Sequence, residues 1–468
     1  MGQVGDTADE APGKARQAPS FKEVTALTLP QMGLMLCHLG ISMTDLWVAG
    51  RIDASVVASM GVVGQAFAIL MLVTSIAGTG ALSAVSQALG AGLQLRARRY
   101  AGLICGMAFS VGAIVGVLGF LSLPFLFSLL RVPEELLPVV RTFVGVYCLN
   151  LPFYYFLILL NSIFRAYKLV RLPFITFLIV FGANLAGSAG FGLGLWGLPN
   201  FGYAGIVWAT FVSTILGLVC SVFAVRRHGI IRRDSFASWR WNTRAAPYLL
   251  KVGVPTVAGR LLSQGGQLVM VGFVTTLPGA VDIMAGMTLG MRIHAVVMFP
   301  LGAVVMTMAI FSGHLLGARE EETLFHFGLR TACWNALVFA CAAFALYCLR
   351  GTVAELMAPG DAIVRHAVHY LSFSCIGVPA LAFGMTLYGV FSGTGATPLA
   401  LVADITSVWV VLVPLGYVLS HTLGWGEKGV FLSMLCADFM FMGLLAVLYG
   451  SRKWLSFGMR SRKAPAAA

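Results

Sequence analysis

Charge is what this sequence has least of. Only 10% of its 468 residues are Asp, Glu, Lys or Arg, against about 25% in ordinary soluble domains. Hydrophobic residues make up 59% and the mean hydropathy is +0.88. A soluble globular domain is thereby excluded. No CxxC pair is present among the nine cysteines, most of which fall inside apolar runs and read as small buried hydrophobes. HExxH, GxSxG and paired His/Asp boxes are also missing, and the eight histidines are dispersed. A membrane-embedded enzyme is therefore not expected, and neither is a cofactor or a metal site. The first 22 residues lack an apolar core segment, so they read as a polar cytoplasmic tail without fixed structure rather than a cleaved signal peptide.

What the chain does have is long apolar runs. Runs of about 18 residues or more span a bilayer as helices, and lipid leaves only helices or a closed barrel as solutions for the backbone. The runs are continuous rather than alternating, which selects helices. Twelve spans are predicted, near 25–49, 56–83, 102–127, 139–164, 172–194, 204–225, 253–276, 283–312, 331–349, 367–391, 398–420 and 430–449. Turn residues separate them, as in LLRVPEELLP, TTLPGAVD, MAPGD and LGWGEKG. Fifty-four glycines suit close helix packing in lipid.

The net charge of +13 is unevenly placed. With the N-terminus inside, 23 of the 31 Lys and Arg fall in inside segments. Six, Arg51, Arg131, Arg141, Arg350, Arg365 and Lys428, fall outside, and Arg260 and Arg292 lie within spans. This is the positive-inside pattern. It accounts for the basic excess by topology in the bilayer, without nucleic acid as a partner, and it puts both termini in the cytoplasm.

The chain also repeats itself. SQALGAG at Ser86–Gly92 answers SGHLLGAR at Ser312–Arg319, Pro30 answers Pro255, and Pro152 answers Pro379, at an offset of 225–227 residues. Six spans per repeat is even, so both halves enter from one side, a parallel duplication found among transporters. The predicted fold class is an all-α polytopic membrane protein, with 12 transmembrane helices in two six-helix pseudo-symmetric lobes around a central cavity. The expected divisions are a tail (1–22), an N-lobe (23–228), a cytoplasmic linker (229–250), a C-lobe (251–450) and a basic cytoplasmic tail (451–468).

Four stretches carry a more specific likeness: LPQMGLMLCHLGISMTDLWVAGRI, SQALGAGLQLRARRYAG, RVPEELLPVVRTFVGVYCLNLPFYYFLILLNSIFRAYKLVRLP and NFGYAGIVWATFVS. The chain resembles the multidrug and toxic compound extrusion (MATE) family over about residues 24–455. The polysaccharide and lipid-precursor flippases share the wider superfamily.

Only Asp45, Asp404 and Asp438 of the 18 acidic residues lie clearly within spans. An ionised Asp in hydrocarbon costs about 2.5–3.5 kcal/mol on insertion scales, and such residues mark ion or proton pathways by default. Asp45 is six residues, about 9 Å, from Arg51, so an Asp reaching the outer interface is the plain alternative. TDLWVAG resembles the family's first-helix pattern, which implies a protonatable carboxylate lining the N-lobe cavity. His38, seven residues earlier, shares its helix face and either tunes Asp45 or packs on a neighbouring helix. GANLAGSAG in the fifth span resembles a family pattern of Asn followed by Asp. Asn184 matches the Asn, and Ser188 stands where the Asp would be. The resemblance thus implies ion coupling through Asp45, Asn184 and Ser188, with the missing carboxylate favouring a proton over sodium. Asp438, near the bilayer centre, is a second ion-coupling candidate, its alternative being a structural pair with Arg260 or Arg292. Asp404 is read as an interface residue.

The remaining cavity candidates are polar and aromatic: His38, Tyr147, Asn150, Tyr154, Asn161, Gln264 and Tyr388. Aromatic faces attract organic cations. The expected function is proton-coupled antiport of organic, cationic amphiphiles by alternating access, with sodium as the alternative ion. A flippase or exporter of a lipid-linked or anionic metabolite is the alternative function, to be favoured by arginine lining the cavity. The expected partners are a small organic substrate and the lipid bilayer, and the expected state is a monomer in the cell inner membrane.

Overall fold

A computed structural model describes residues 18–123, 125, 133–357 and 360–459. Expectations for residues 1–17, for Arg131 and for residues 460–468 lie outside the described residues. Among those described, twelve long helices and no strand are found: α1 Phe21–Ile52, α2 Ala54–Gly90, α3 Gln94–Leu121, α4 Leu137–Ala166, α5 Arg171–Leu193, α6 Tyr203–Arg227, α7 Trp239–Thr275, α8 Ala280–Gly317, α9 Glu321–Met357, α10 Asp361–Thr394, α11 Thr397–Thr422 and α12 Glu427–Gly450. Each predicted span has its helix. Eleven are long and apolar enough to cross a membrane on composition alone. The twelfth, α7, carries Arg240, Arg244, Lys251 and Arg260, with Pro247 and Pro255 inside it. Its first turns, residues 239–250, are the helical end of the stretch 229–250 expected as linker, which also contains a short turn at Arg233–Ser235.

Local chemistry fixes the helix ends. Ser20 and Glu23 form a reciprocal capping box at the start of α1, with the Ser20 N–H donating to Glu23 Oε2 at 2.7 Å. A single extended residue, Asp53 (φ −165°), separates α1 from α2 and accepts the Ser55 N–H at 2.6 Å. The Ser55 hydroxyl and N–H hold the Asp53 carboxyl below the usual aspartate range. Gly202 (φ 58°, ψ −136°) starts α6 and Gly426 (φ 57°, ψ −133°) starts α12. Only glycine adopts this backbone readily, and the two copies preserve the same turn at the same point of each repeat.

Packing repeats as well. In the first six helices α1 packs on α5, α4 on α2, α3 and α6, and α5 on α6. In the second six, α7 packs on α11, α10 on α8, α9 and α12, and α11 on α12. The lobes meet through α2 against α8, and through the matched pairs α2 with α7 and α1 with α8. Symmetry fails in one helix. α5 is regular, but α11 contains π-helical turns at Thr406–Leu412 and Val418–Thr422 on either side of Pro414.

The seam between the lobes is held at one end. Gln31 donates to Thr307 at 2.8 Å, and Thr28 bonds Thr307 at 3.0 Å. Ser83 and Gln87 both donate to the Gly393 carbonyl at 3.0 Å, and His314 Nε2 donates to the Ala166 carbonyl at 2.7 Å. Among the described residues, every hydrogen bond between the lobes lies in the half of the bundle nearest the chain termini. The C-terminal segment joins this seam. Trp454 is fully buried, stacks on Tyr449 at 4.9 Å and donates to the Tyr449 carbonyl at 2.8 Å, while the Met459 N–H donates to Gln87 Oε1 at 2.8 Å. The beginning of the expected tail is thus a packed foot under both lobes.

Glycine makes the seam possible. A Cβ on Gly90 would overlap the His314 carbonyl, and one on Gly317 the Gln87 carbonyl. Overpacking a close contact costs about 1–3 kcal/mol. Gly90→Ala and Gly317→Ala should each lower the thermal unfolding midpoint of the detergent-solubilised protein, whereas Gly61→Ala on α2, which would meet nothing within 4 Å, should not.

Candidate functional site

Asp45 lies seven residues before the end of α1 and is 5% exposed. It faces α5, where Ser188 Oγ donates to its Oδ1 at 3.0 Å. Asn184, one turn earlier on α5, and Thr210 of α6 are also placed to hydrogen-bond the carboxylate. Asn184 Nδ2 in turn donates to Thr210 Oγ1 at 3.0 Å, and Thr210 Oγ1 also lies 3.1 Å from the Ile206 carbonyl, so its one proton serves either that carbonyl or the carboxylate. Asn184 and Ser188 have no exposed surface. The plain alternative for Asp45, an aspartate reaching the interface, therefore does not hold: three helices enclose it. No lysine or arginine pairs with it among the described residues. Asn184 Oδ1 is buried without a partner.

Tyr147 lies within electrostatic reach of Asp45. It packs with Phe67 at 5.0 Å, and Phe67 also meets Tyr154 at 5.7 Å, so α2 and α4 place an aromatic wall beside the acid. Asn150, on α4, is buried and donates to Thr214 at 3.3 Å.

His38 belongs to a second locus. Its Nδ1–H donates to the Leu34 carbonyl at 3.0 Å and its ring stacks on Phe177 at 4.2 Å; no hydrogen bond joins it to Asp45. It lines a cavity of about 310 Å³ with Met35, Ile158, Asn161, Arg165 and Met306. Met306 is on α8, so this cavity lies at the lobe boundary. Arg165 is in the last turn of α4 and turns into the cavity. Its Nη2 donates to Ser162 at 3.0 Å, its Nε to the Asn161 carbonyl at 3.2 Å, and its Nη1 contacts Met306 Sδ at 3.1 Å.

The C-lobe candidates lie elsewhere. Asp438 packs over Gly377 of α10, where a Cβ would fall 2.6 Å from its Oδ2. Neither Arg260 nor Arg292 forms an ion pair with it among the described residues, which removes the structural pair expected as its alternative. Asp404 lies over Gly259 of α7 in the same way, just before the first π-helical turn of α11. Tyr388 is near Asp404 and Arg260 and within hydrogen-bonding range of Thr256. Asp404, half-buried on α11, thus faces α7 and α10. Gln264 is exposed on α7 and bonds to no other candidate. The structure therefore brings Asp45, Asn184 and Ser188 together, sets Tyr147 and Tyr154 nearby, gathers His38 with Asn161 at the lobe boundary, and leaves Asp438, Tyr388 and Gln264 in the C-lobe. Thr210 and Arg165 were missed. Thr210 has no sequence signal beyond being a hydroxyl in an apolar helix, and Arg165 sits where a span edge and a loop look alike.

Two six-helix lobes related by a duplication, with polar groups and a cavity at their boundary, form the architecture of a membrane transporter. The MatE family model matches residues 30–189 and 255–418, one block in each lobe. The chain belongs to the MatE family, whose members are transporters rather than enzymes. It is 21% identical over 444 residues to the uncharacterized transporter YisQ of Bacillus subtilis, covering 93% of this chain and 95% of that protein. It is 27% identical over 416 residues to the multidrug resistance protein PmpM of Pseudomonas aeruginosa, covering 86% and 84%. The bent form of the Vibrio cholerae MATE transporter VcmN superposes with a TM-score of 0.84 over 93% of this chain and 98% of that one, at 19% identity.

Losing a hydrogen bond to a buried charged group costs about 1–3 kcal/mol. Ser188→Ala should therefore lower thermal stability in detergent. With Asp45→Asn in the background the loss should shrink by more than half, because the acceptor is then neutral. Equal losses in both backgrounds would mean that the Ser188–Asp45 bond contributes nothing.

Proposed function

We propose that this transporter is a proton-coupled antiporter that exports organic, cationic amphiphiles from the cytoplasm across the cell inner membrane. The observation that carries the reading is the Asp45 cluster, a buried carboxylate surrounded by neutral donors and no cation. Such a group is costly when ionised in lipid and cheap when protonated, so its proton occupancy can weigh on which state the N-lobe adopts. Coupling requires exactly that kind of differential affinity between two states. The single carboxylate among neutral side chains supports a proton over sodium. Sodium would need several oxygens, of which only one here is charged.

The basic residues gather at the end that carries the termini, which supports a cytoplasmic position for that face. The lobes are hydrogen-bonded to each other at that end, which supports a path opening on the opposite face, where substrate would leave and a proton would enter. Rocking the lobes about the α2–α8 contact would open the opposite path. The aromatic wall of Phe67, Tyr147 and Tyr154 suits the faces of organic cations, and the named multidrug resistance relative supports a broad substrate range.

One observation favours the second reading, an exporter of an anionic or lipid-linked metabolite. Arg165 lines the boundary cavity with no carboxylate paired to it among the described residues, and an unpaired guanidinium there would hold a phosphate or carboxylate.

Everted membrane vesicles with an imposed pH gradient test both. Wild type should accumulate a fluorescent organic cation when the lumen is acidic, and dissipating the gradient should abolish uptake. Asp45→Asn should lose gradient-driven uptake at least tenfold while still binding the dye. Full gradient-driven transport by Asp45→Asn would sink the assigned role, and stimulation by sodium at fixed pH would replace the proton. Arg165→Gln should leave cation transport within about twofold; loss of transport of an anionic substrate alone would favour the second reading.

A further inference from the structure

Away from the Asp45 cluster and the lobe boundary, two histidines and a glutamate converge at the face opposite the termini. His366 and His369 are one turn apart near the start of α10, and Glu427 is the first residue of α12. The His366 Nδ1–H donates to Glu427 Oε2 at 2.5 Å, and the His369 Nδ1–H donates to Oε1 at 2.7 Å. One ligand atom from each of the three side chains lies within 4.8 Å of the other two. The dispersion of histidines in the sequence hid this group, because 58 residues separate His369 from Glu427.

We propose that His366, His369 and Glu427 form a binding site for a divalent transition metal of the Zn²⁺ class, joining α10 to α12. The donor set is two imidazoles and one carboxylate, which suits zinc and its neighbours rather than Mg²⁺ or Ca²⁺, whose sites are built from oxygen alone. Zinc bonds nitrogen and oxygen at about 2.0–2.2 Å in a tetrahedron, which sets ligand atoms about 3.3 Å apart. The two imidazole–carboxylate separations, 2.5 and 2.7 Å, are shorter than that and all three ligand atoms lie within 4.8 Å of one another, so side-chain rotations that widen the group seat an ion in place of the two bridging protons. Three protein ligands leave the fourth position to water.

Three features mark the group as built rather than accidental. First, its members come from two helices and are partly buried, with side-chain exposures of 17%, 34% and 12% for His366, His369 and Glu427. They are sheltered enough to be held and open enough for an ion to enter. Second, α8 backs the site: a Cβ on Gly286 would fall 2.5 Å from the His366 Cβ, so this glycine lets α10 approach closely and fixes where His366 begins. Glu427, in the first turn of α12, is also where a helix favours a negative group. Third, the duplication makes a comparison within the chain. The corresponding start of α4, LPVVRTF at 137–143, has no histidine, and α6 opens with Tyr203. The N-lobe closes the same helix junction without this chemistry, so the fold does not require it.

A bound ion would fasten the ends of α10 and α12 to each other at the mouth of the C-lobe. The test uses the full-length protein, purified in detergent and stripped of metal, titrated with Zn²⁺ against a chromophoric zinc indicator. Wild type should bind one equivalent with micromolar or tighter affinity. His366→Gln and Glu427→Gln, which keep size and hydrogen-bonding capacity, should each weaken binding at least tenfold. Cys333, Cys341 and Cys348 are exposed and stay in every variant, so the difference reads the proposed ligands alone. As a second readout, 100 µM Zn²⁺, on the order of a hundredfold excess over a micromolar Kd, should raise the thermal midpoint of wild type and leave both variants unmoved, because a ligand that binds the folded state stabilises it. If one variant fails to fold, the other carries the comparison. Absence of a stoichiometric site in wild type, or equal binding by the variants, would overturn the proposal.

Discussion

Backbone meets backbone between the two lobes at one end of the bundle, and the rest of the molecule is arranged around that contact. In lipid, helices gain no hydrophobic stabilisation from touching each other. Association rests on close packing and on hydrogen bonds that would otherwise go unmade. The glycines of α2 and α8 bring helix axes near enough for the Ser83, Gln87 and His314 side chains to reach carbonyls of the other lobe. Because these bonds are confined to the termini-bearing half, the lobes are joined there and separated elsewhere. The cavity around His38 and Arg165 lies just beyond the last of them.

Polar groups inside the bundle follow two different rules. Around Asp45 the hydrogen-bonding groups are the neutral side chains of Asn184, Ser188 and Thr210, and the enclosure is nearly complete. In the C-lobe, among the described residues, the two acids have no such shell of side-chain hydrogen bonds. Asp404 and Asp438 each rest on a glycine of an adjacent helix, a position that spares them a methyl group and little more. The lobes therefore match in helix order and packing while differing in how they hold charge. The polar enclosure of Asp45 is thus a property of one lobe and not of the repeated fold.

Much of this was legible in the sequence, for reasons that can be stated. The twelve helices could be counted because an apolar run long enough to cross lipid has few other readings. Their ends could not, since α7 begins in a stretch whose arginines suggest a linker and whose helix is recruited by packing on α2 and α11. Asp45 with Asn184 and Ser188 could be paired because a charged residue in an apolar run is rare and the family likeness supplied the partner helix. Thr210 and Arg165 could not, because contacts across helices leave no mark in local spacing. The histidines of α10 sit one turn apart, yet only the three-dimensional junction with α12 shows what they face.

The π-helical turns of α11 have a consequence for the history of the chain. A π turn takes up one residue more than an α turn, so each rotates the following residues by about 100° relative to an unbroken helix. Its twin α5 has no such turn. The two descendants of one ancestral helix can no longer present matching faces to their neighbours, and a residue transplanted between them would point in a new direction. The halves have ceased to be interchangeable: a lesion around Asn184 and Ser188 could not be made good by the copy that Asp404 adjoins.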